Sequence, residues 1–251
     1  MILTDKQLIE KFNIKSTDRV LDVGGSMKQH KFIHIDTLVD ILRPEFAPYG
    51  KSKLSADNFI QLDVTKQKLP FKDKEFDFCL CTHTLEDLYN PFILIEEMSR
   101  VARRGYISTP SMGKDMEYSN LNITDWKTGP RRVPGIAHHK WLFNLEEGIM
   151  KIIPKNYPLL YTSKFHIKKW LGSEEFQYYW EDKIKYEEFK DLNFHELIKT
   201  YESFLSKNKK KLKKGLNLIF LDNPYFYLKE FVKYIFNKIR FFLKVPNKNI
   251  Y

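Results

Sequence analysis

The sequence predicts a doubly wound α/β domain with a mostly parallel sheet, followed by an aromatic and basic helical extension. Short apolar runs alternate with helical or loop segments over residues 19–110, which is typical of a parallel sheet covered on both faces. Several runs end in an acid or in paired glycines, as strands that lead to a ligand do. With 251 residues, 43% of them apolar, the chain can bury a substantial core without metals or disulfides.

The predicted elements follow the hydrophobic periodicity and the turn residues. In chain order they are helix 4–13, strands 19–23, 36–41, 58–63 and 76–82, helix 91–101 and strand 105–109. Thr4 or Asp5 caps the first helix. Residues 112–140 are predicted to be a loop, and residues 141–202 mix strand-like and helix-like pieces. We therefore divide the chain into a domain over residues 1–145, a substrate-covering segment over 146–205 and a tail over 206–251.

The net charge of +10 belongs to the tail. The last 49 residues hold 12 lysines and arginines against two acids, and this excess equals the charge of the whole chain. Apolar residues recur at helical spacing over residues 224–244, with lysines elsewhere on the helix, which is typical of a helix lying on an anionic membrane surface. The alternatives are a helix packed on the domain or on a partner chain, and phosphate contacts of a nucleic acid through the lysines of 207–214.

Cys79 and Cys81 lie two residues apart on one predicted strand, where their side chains point the same way and do not form a disulfide. This favours a reducing compartment. The first residues lack the apolar stretch of a signal peptide, and no apolar run is long enough to span a membrane as a helix. We expect a cytoplasmic protein that the tail brings to the inner membrane face.

Acids close the first three strands of the predicted sheet. Asp22 precedes Gly24 and Gly25, Asp40 ends the second strand, and Asp63 ends the third. Because parallel strands present their carboxyl ends at one edge, we expect these carboxylates to surround a ligand, with Asp40 accepting from a ribose diol. The alternative is that each acid forms a turn or caps a helix.

These residues resemble the class I S-adenosylmethionine-dependent methyltransferases. Val20-Leu-Asp22-Val-Gly24-Gly25 is similar to the first motif of that family, and Val39-Asp40 to the acid after its second strand. The stretches Leu62–Asp77 and Thr84–Val101 resemble its "D…LPF-x-D…FD" and "LEH…DP…E…RV" runs. The resemblance covers about 90 residues, and it implies a Rossmann-like fold with S-adenosyl-L-methionine as cofactor.

The resemblance also implies roles for individual residues. Asp22 and the Gly24-Gly25 loop contact the methionine end of the cofactor, Asp40 binds the ribose, and Asp63 and Val64 flank the adenine. Thr82 and His83 border the sulfonium and the acceptor, and His83 is the candidate general base, although a structural role is the alternative. Gly105–Ser111 followed by His138, His139 and Trp141 resembles a bacterial subgroup, and we assign these three residues to the substrate.

Two departures from the family pattern affect the expected site. The first loop is Gly24-Gly25-Ser26-Met27 rather than GxGxG, and only 12 residues separate Val23 from Asp36, which leaves a turn or two of helix. Asp87 stands where the family has His. The alternative function is therefore a binding or scaffolding protein that kept the fold and lost turnover.

The remaining candidates concern metals and the acceptor. His138 and His139 with Asp115, Glu117 or Asp125 suggest a metal, but adjacent side chains point in different directions, and we expect no metal. Tyr178, Tyr179 and Trp180 are interpreted as core or as a stacking surface for a sugar or base. The expected activity is methyl transfer to an oxygen or nitrogen of a small-molecule, glycan or lipid-linked acceptor. A nucleic acid is not expected, and the oligomeric state is left open.

Overall fold

The computed structural model describes most of the chain up to residue 213 and four positions beyond it. The described residues are 3–47, 52–119, 133–162, 164–165, 167–189, 194–213, 228, 231–232 and 235. The helices in these ranges are α1 (Asp5–Phe12), α2 (Phe92–Val101), α3 (Met112–Asp115), α4 (Tyr157–Leu160) and α5 (Phe194–Lys207). The strands are β1 (Val20–Val23), β2 (Thr37–Asp40), β3 (Asn58–Gln61), β4 (Phe76–Thr82), β5 (Ala102–Pro110), β6 (Tyr118–Ser119), β7 (Val133–Pro134), β8 (Trp141–Glu146), β9 (Ile149–Pro154), β10 (Lys169–Trp170), β11 (Glu175–Glu181), β12 (Tyr186–Glu188) and β13 (Leu212–Lys213).

A six-stranded sheet in the order β3-β2-β1-β4-β5-β11 forms the centre of the fold. β1 to β5 run parallel, and β11 pairs antiparallel with β5 along its whole length. The chain leaves β1 to one side for β2 and β3, and to the other side for β4 and β5. The carboxyl ends of β1 and β4 therefore border the point where the strand order reverses, which is where open α/β sheets bind ligands. The predicted doubly wound, mostly parallel sheet is confirmed.

The two faces of the sheet are covered in different ways. On one face, Leu21 and Cys79 pack with α2 and with the small sheet β12-β9-β8. On the other face, Val20 and Phe78 pack with α1 and with the segment that precedes β2. The alternation of successive residues between the two cores is the period of two that a strand imposes. Cys79 and Cys81 face the same core as free thiols, and burial raises the pKa of both.

The connection from β1 to β2 is unusually short. It contains a single 3₁₀ turn over Gly25–Met27 instead of a full helix, as the spacing predicts. The helix α1 covers the face of the central sheet that carries Val20 and Phe78, and its Leu8 and Phe12 are buried. Thr4 caps α1, since Gln7 N–H donates to the Thr4 hydroxyl and Thr4 N–H donates to Gln7 Oε1.

The residues after Ser111 form elements of their own and also add a strand to the central sheet. The predicted loop 112–140 contains the short elements α3, β6 and β7 among its described residues. β11, from the predicted segment 146–205, supplies the sixth strand of the central sheet, and the β8–β9 hairpin spans residues 145 and 146. Tyr178 and Trp180 of β11 are buried, in agreement with a core role. The proposed boundaries at 145 and 205 remain a prediction.

Four positions of the predicted tail helix are described. Leu228, Phe231, Val232 and Ile235 are helical, and all four side chains are exposed. The other residues of the predicted helix 224–244, and Lys214 before it, lie outside the described residues. Within the described residues, none of the helices has the length and apolar character needed to cross a membrane.

Candidate functional site

The turn after β1 admits only glycine at two positions. Gly24 has φ +83°, in the left-handed region, and its N–H donates to Val39 O over 2.8 Å. A Cβ on Gly24 would overlap the side chain of Thr84, and a Cβ on Gly25 would overlap the carboxylate of Asp22. The chain therefore passes tightly between the ends of β1, β2 and β4, and it brings backbone amides to the edge of the sheet.

Asp22 is a buried carboxylate at this turn. Its Oδ1 has no hydrogen-bond partner among the described residues. Burial raises the pKa of Asp22 to about 6, with a further increase from Asp40 and an opposing effect from His30. A buried carboxylate with a free acceptor oxygen is able to receive a cationic donor group.

Asp40 at the end of β2 is partly buried and holds the same turn. Its Oδ2 accepts from Ser26 N–H over 3.0 Å, and its Oδ1 accepts from Ile41 N–H over 2.6 Å. Oδ1 also accepts from Leu42 N–H over 3.4 Å, so of the roughly four lone-pair sites of the carboxylate one, on Oδ2, is left for a further donor. The side chains of Met27, Ile41 and Leu42 are exposed beside it. The sequence interpretation did not include these three apolar residues, because an exposed apolar side chain is not apparent without the fold.

Asp63 and Val64 have structural contacts of their own. Asp63 Oδ1 accepts from the hydroxyl and the N–H of Thr65, and Lys66 Nζ lies 2.9 Å from Asp63 Oδ2. These hydrogen bonds lower the pKa of Asp63 to about 2. Val64 is buried in the core on the α2 side. The turn-forming alternative for Asp63 is thus present in the structure, and an adenine contact by either residue stays a prediction.

His83 lies between two glutamates. It follows β4 with φ +52°, a left-handed conformation that is uncommon for a residue with a side chain. Its Nδ1 is 3.4 Å from Glu86 Oε1, and its Nε2 is 3.3 Å from Glu175 Oε2. Glu86, the larger cause, and Glu175 raise the pKa of His83 against the effect of burial. The sequence offered no indication of Glu175, which comes from β11.

A cavity of about 470 Å³ opens beside His83. It lies between α1, the segment 28–32 and the carboxyl ends of β4 and β5, and Thr82 and Ser108 contribute to its wall. Tyr106 also lines it, with a buried hydroxyl that has no hydrogen-bond partner among the described residues, and burial raises the pKa of that hydroxyl to about 12. The cavity thus joins polar groups of the sheet edge to a space that a small molecule can enter.

An ion pair attaches α1 to the wall of this cavity. His30 Nδ1 lies 2.7 Å from Asp5 Oδ1, and Asp5 Oδ2 accepts from the N–H groups of Lys31 and Phe32. Burial opposes ionisation of Asp5, but these hydrogen bonds outweigh it and lower its pKa to about 2. The segment after the glycine turn is therefore held against the first turn of α1.

The predicted substrate residues His138, His139 and Trp141 reach the same edge of the sheet. Lys140 N–H donates to Glu86 O over 2.7 Å, and Trp141 Nε1–H donates to Leu88 O over 2.9 Å. These bonds attach the segment to the turn that follows His83. Trp141 also packs edge-on against Phe92, and a substrate contact by Trp141 stays a prediction.

The residues 31–108 match the family model of a methyltransferase domain. The match begins just after the glycine turn, and it includes Asp40, Asp63 and His83. The order of the central sheet, with its glycine turn after β1 and its antiparallel edge strand, is of the Rossmann-like doubly wound type. Residues 31–108 of this chain are therefore similar to a methyltransferase domain.

A curated relative matches about a third of this chain. An uncharacterised protein of Methanocaldococcus jannaschii is 37% identical over 89 residues, or 35% of this chain. The chain spans 40% of the length of that curated relative.

Solved structures similar to this chain include one from Aquifex aeolicus and one from Methanosarcina mazei. A SAM-dependent methyltransferase from Aquifex aeolicus is 25% identical and covers 44% of this chain and 66% of its own, with a TM-score of 0.32. A SAM-dependent methyltransferase from Methanosarcina mazei is 19% identical, covers 44% and 60%, and has a TM-score of 0.32.

Proposed function

We propose that this chain is an S-adenosylmethionine-dependent methyltransferase acting on an oxygen or nitrogen of a small-molecule, glycan or lipid-linked acceptor. The turn after β1 carries the proposal, because Gly24 and Gly25 there bring backbone amides between the carboxylates of Asp22 and Asp40. Backbone at such a turn approaches a ligand closely, and the carboxylates on either side keep acceptor capacity.

The residues at this turn fit the polar groups of the cofactor. Asp22 Oδ1 is a buried acceptor without a partner among the described residues, and an ammonium group supplies the donor that it lacks. Asp40 accepts from a ribose hydroxyl through the remaining lone pair of its Oδ2. The exposed side chains of Ile41 and Leu42 offer an apolar surface to adenine. When bound, the cofactor supplies a methyl group on a positively charged sulfur.

The acceptor occupies the cavity beside Thr82 and His83 in this proposal. Methyl transfer to a nucleophile depends mainly on alignment, so the walls of the cavity contribute by orienting the acceptor. Neutral His83 takes up the proton that an O–H or N–H acceptor loses, while Glu86 and Glu175 hold the imidazole and stabilise the imidazolium that results. The segment with His138, His139 and Trp141 borders this acceptor side.

Isothermal titration with S-adenosylmethionine and S-adenosylhomocysteine tests the cofactor site. We expect saturable binding to the full chain and a loss of at least about tenfold in affinity for Asp40→Asn, since the ribose then loses a charged acceptor. Asp57→Asn is the matched control, because Asp57 is an exposed acid just before β3 that pairs with His34. The absence of heat at high micromolar ligand would exclude the proposed enzyme.

A non-catalytic binding protein of the same fold is the second candidate. The observation in its favour is the single 3₁₀ turn after the glycines, which offers fewer backbone donors to the carboxylate end of the cofactor than a full helix. A screen of cell extracts and lipid fractions with methyl-labelled cofactor separates the two candidates. Binding in the titration without any labelled product favours the binding protein, and a labelled product favours the enzyme.

The tail is proposed to bring the domain to an anionic membrane surface. Four apolar positions of the tail helix are exposed, and the lysine excess lies in the same region of the sequence. Burial of apolar side chains in the interface and attraction of lysines to anionic lipid add to one another. Sedimentation with anionic liposomes should pellet the full chain but not a chain ending at Asn223. Equal pelleting of both would contradict this proposal, and neutral liposomes serve as the control.

A further inference from the structure

The side chains of Asp87, His138 and His139 come from two distant parts of the sequence and point at one another. His138 Nε2 is 3.6 Å from Asp87 Oδ1, and His139 Nε2 is 3.8 Å from the same oxygen. The three atoms lie within 4.8 Å of one another. Adjacent histidines were expected to diverge, but their ring planes are turned by 86° with centroids 5.0 Å apart. Both Nε2 atoms therefore reach the same carboxylate oxygen.

The separations are wrong for hydrogen bonds and suitable for a metal. Hydrogen bonds between nitrogen and oxygen span roughly 2.7–3.2 Å, and Asp87 Oδ1 is a buried atom without a hydrogen-bond partner among the described residues. Zinc binds imidazole nitrogen and carboxylate oxygen at about 2.0–2.2 Å, which places tetrahedral ligand atoms about 3.4 Å apart. The observed 3.6 and 3.8 Å are close to that spacing.

Asp115 favours the tautomer of His139 that can bind a metal through Nε2. The His139 side chain is 4% exposed, and its Nδ1 lies 3.1 Å from Asp115 Oδ1. A proton on Nδ1 is stabilised by that carboxylate, which leaves Nε2 with a free lone pair directed at Asp87. Metal-binding histidines are commonly held in this way by a carboxylate behind the ring.

The lysines near the cluster are engaged elsewhere. Lys155 Nζ lies 3.0 Å from Asp115 Oδ1 and donates to Ile136 O. Lys140 Nζ donates to the carbonyl oxygens of Asp87 and His138, and it thereby ties together the two segments that carry the ligand atoms. The two segments are thus held together by the side chain and the backbone N–H of Lys140, without a contribution from an ion.

We propose that Asp87, His138 and His139 form a binding site for one divalent transition-metal ion, with zinc as the best match. Two imidazoles and one carboxylate leave at least one coordination position for water or another ligand. The site goes beyond the proposed methyl transfer and does not depend on it. Among the described residues, the other cluster of such groups contains His34 and Asp57, which are exposed and already form a pair 3.1 Å apart, and Asp36, which accepts from Val20 N–H.

Equilibrium dialysis of the metal-stripped full chain against zinc chloride tests the site. We expect one zinc ion per chain, and a loss of more than about tenfold in affinity for His138→Gln and for Asp87→Asn. The His138 side chain is 52% exposed, so its replacement should leave the fold intact, as circular dichroism can verify. His34→Gln is the matched control, because His34 is similarly exposed and also faces a carboxylate.

Substitution of cobalt(II) for zinc adds a spectroscopic measurement. A site with the proposed ligands gives visible cobalt absorption in the wild-type chain and in His34→Gln, and the absorption disappears in His138→Gln. The proposal is overturned if the wild-type chain binds no zinc above background. It is equally overturned if His138→Gln and Asp87→Asn bind as tightly as the wild type. Neither measurement uses S-adenosylmethionine, so failure of the metal site is distinguishable from failure of the methyltransferase proposal.

Discussion

Gly25 packs directly against the carboxylate of Asp22, with no room for a methyl group between them. The contact arises because the chain turns immediately after β1, and the 3₁₀ turn Gly25–Met27 folds back over the strand end. A side chain at this position would push the turn away from the sheet edge. The turn, the buried acid and the proposed cofactor site are therefore one packing unit.

The substitution Gly25→Ala tests this unit. We expect S-adenosylmethionine binding to weaken by at least about tenfold, because a Cβ at Gly25 would lie 1.9 Å from Asp22 Oδ2 and so must displace the turn or the carboxylate, and we expect a lower melting temperature. Titration calorimetry and thermal unfolding provide the measurements. Gly148→Ala is the comparison: Gly148 has φ +76° but open space around its Cβ position, so it should lose about 1 kcal/mol of stability and keep normal binding.

The raised pKa of Asp22 predicts a pH dependence of cofactor binding. Its carboxyl titrates at about 6 in the free protein, and a cationic ligand group binds the ionised form. Affinity should therefore be highest near pH 7, should fall towards about tenfold per pH unit below pH 6 as Asp22 is protonated, and should fall again near pH 8 as the ligand α-ammonium loses its proton. Asp22→Asn should bind weakly at all pH values and lose the decrease on the acid side. An unchanged acid-side slope in that variant, measured by titration calorimetry from pH 5 to 8, would contradict the assignment.

The ion pair of Asp5 and His30 is expected to stabilise the fold only within a limited range of pH. The pKa of Asp5 falls from 3.8 to about 2 on folding, so its contribution is present above pH 3.8 and is lost as the pH drops towards 2. The pKa of His30 is raised above 6.5, against the effect of burial, by the hydrogen bond that its ring N–H donates to the Asp5 carboxylate. Its contribution is present below pH 6.5 and is lost as the pH rises through the higher folded value.

Urea unfolding of wild type and Asp5→Asn measures this window. The difference in unfolding free energy should be largest between about pH 4 and 6.5, and it should shrink on either side. Asp57→Asn, at an exposed acid, should show a small and nearly constant difference. A difference that keeps growing above pH 8 would show that His30 does not contribute as an imidazolium.

Arg100 connects α2 to the loop that precedes β4. Its guanidinium donates to Leu69 O and Phe71 O, and it makes two hydrogen bonds to the carboxylate of Glu97. Arg100→Ala leaves the buried carboxylate of Glu97 without its cation, so we expect a loss of about 2–4 kcal/mol in unfolding free energy. Arg103→Ala is the control. The Arg103 side chain is exposed, so its removal should lower the unfolding free energy by at most about 0.5 kcal/mol. Chemical denaturation compares the two variants.

His83→Gln separates the catalytic from the structural interpretation of His83. Glutamine keeps polar contact with the glutamates but takes up no proton, so we expect kcat to fall by about 100-fold or more while the affinity for S-adenosylhomocysteine stays unchanged. The measurement requires the acceptor found in the extract screen. A variant with normal kcat and a lowered melting temperature would assign His83 a structural role.

The central part of the fold could be predicted because its determinants are local. The apolar runs that form β1 to β5, the Thr4 cap of α1 and the glycine turn depend on side-chain periodicity and backbone sterics within a few residues. The positions of Asp22 and Asp40 at one edge follow from the parallel arrangement of their strands. The short first connection was also predictable, since too few residues lie between β1 and β2 to build a longer helix.

The sequence by itself thus determined the strand alternation, the carboxylates at the sheet edge and the separation of the basic tail from a charge-balanced domain. The tertiary structure alone decided that β11 returns to pair with β5, which brings Glu175 to His83. It also decided that Asp87 meets His138 and His139. The physical reason is the same in both cases: these contacts join residues far apart in the chain, and their geometry is set by how the layers pack on the sheet rather than by any local preference.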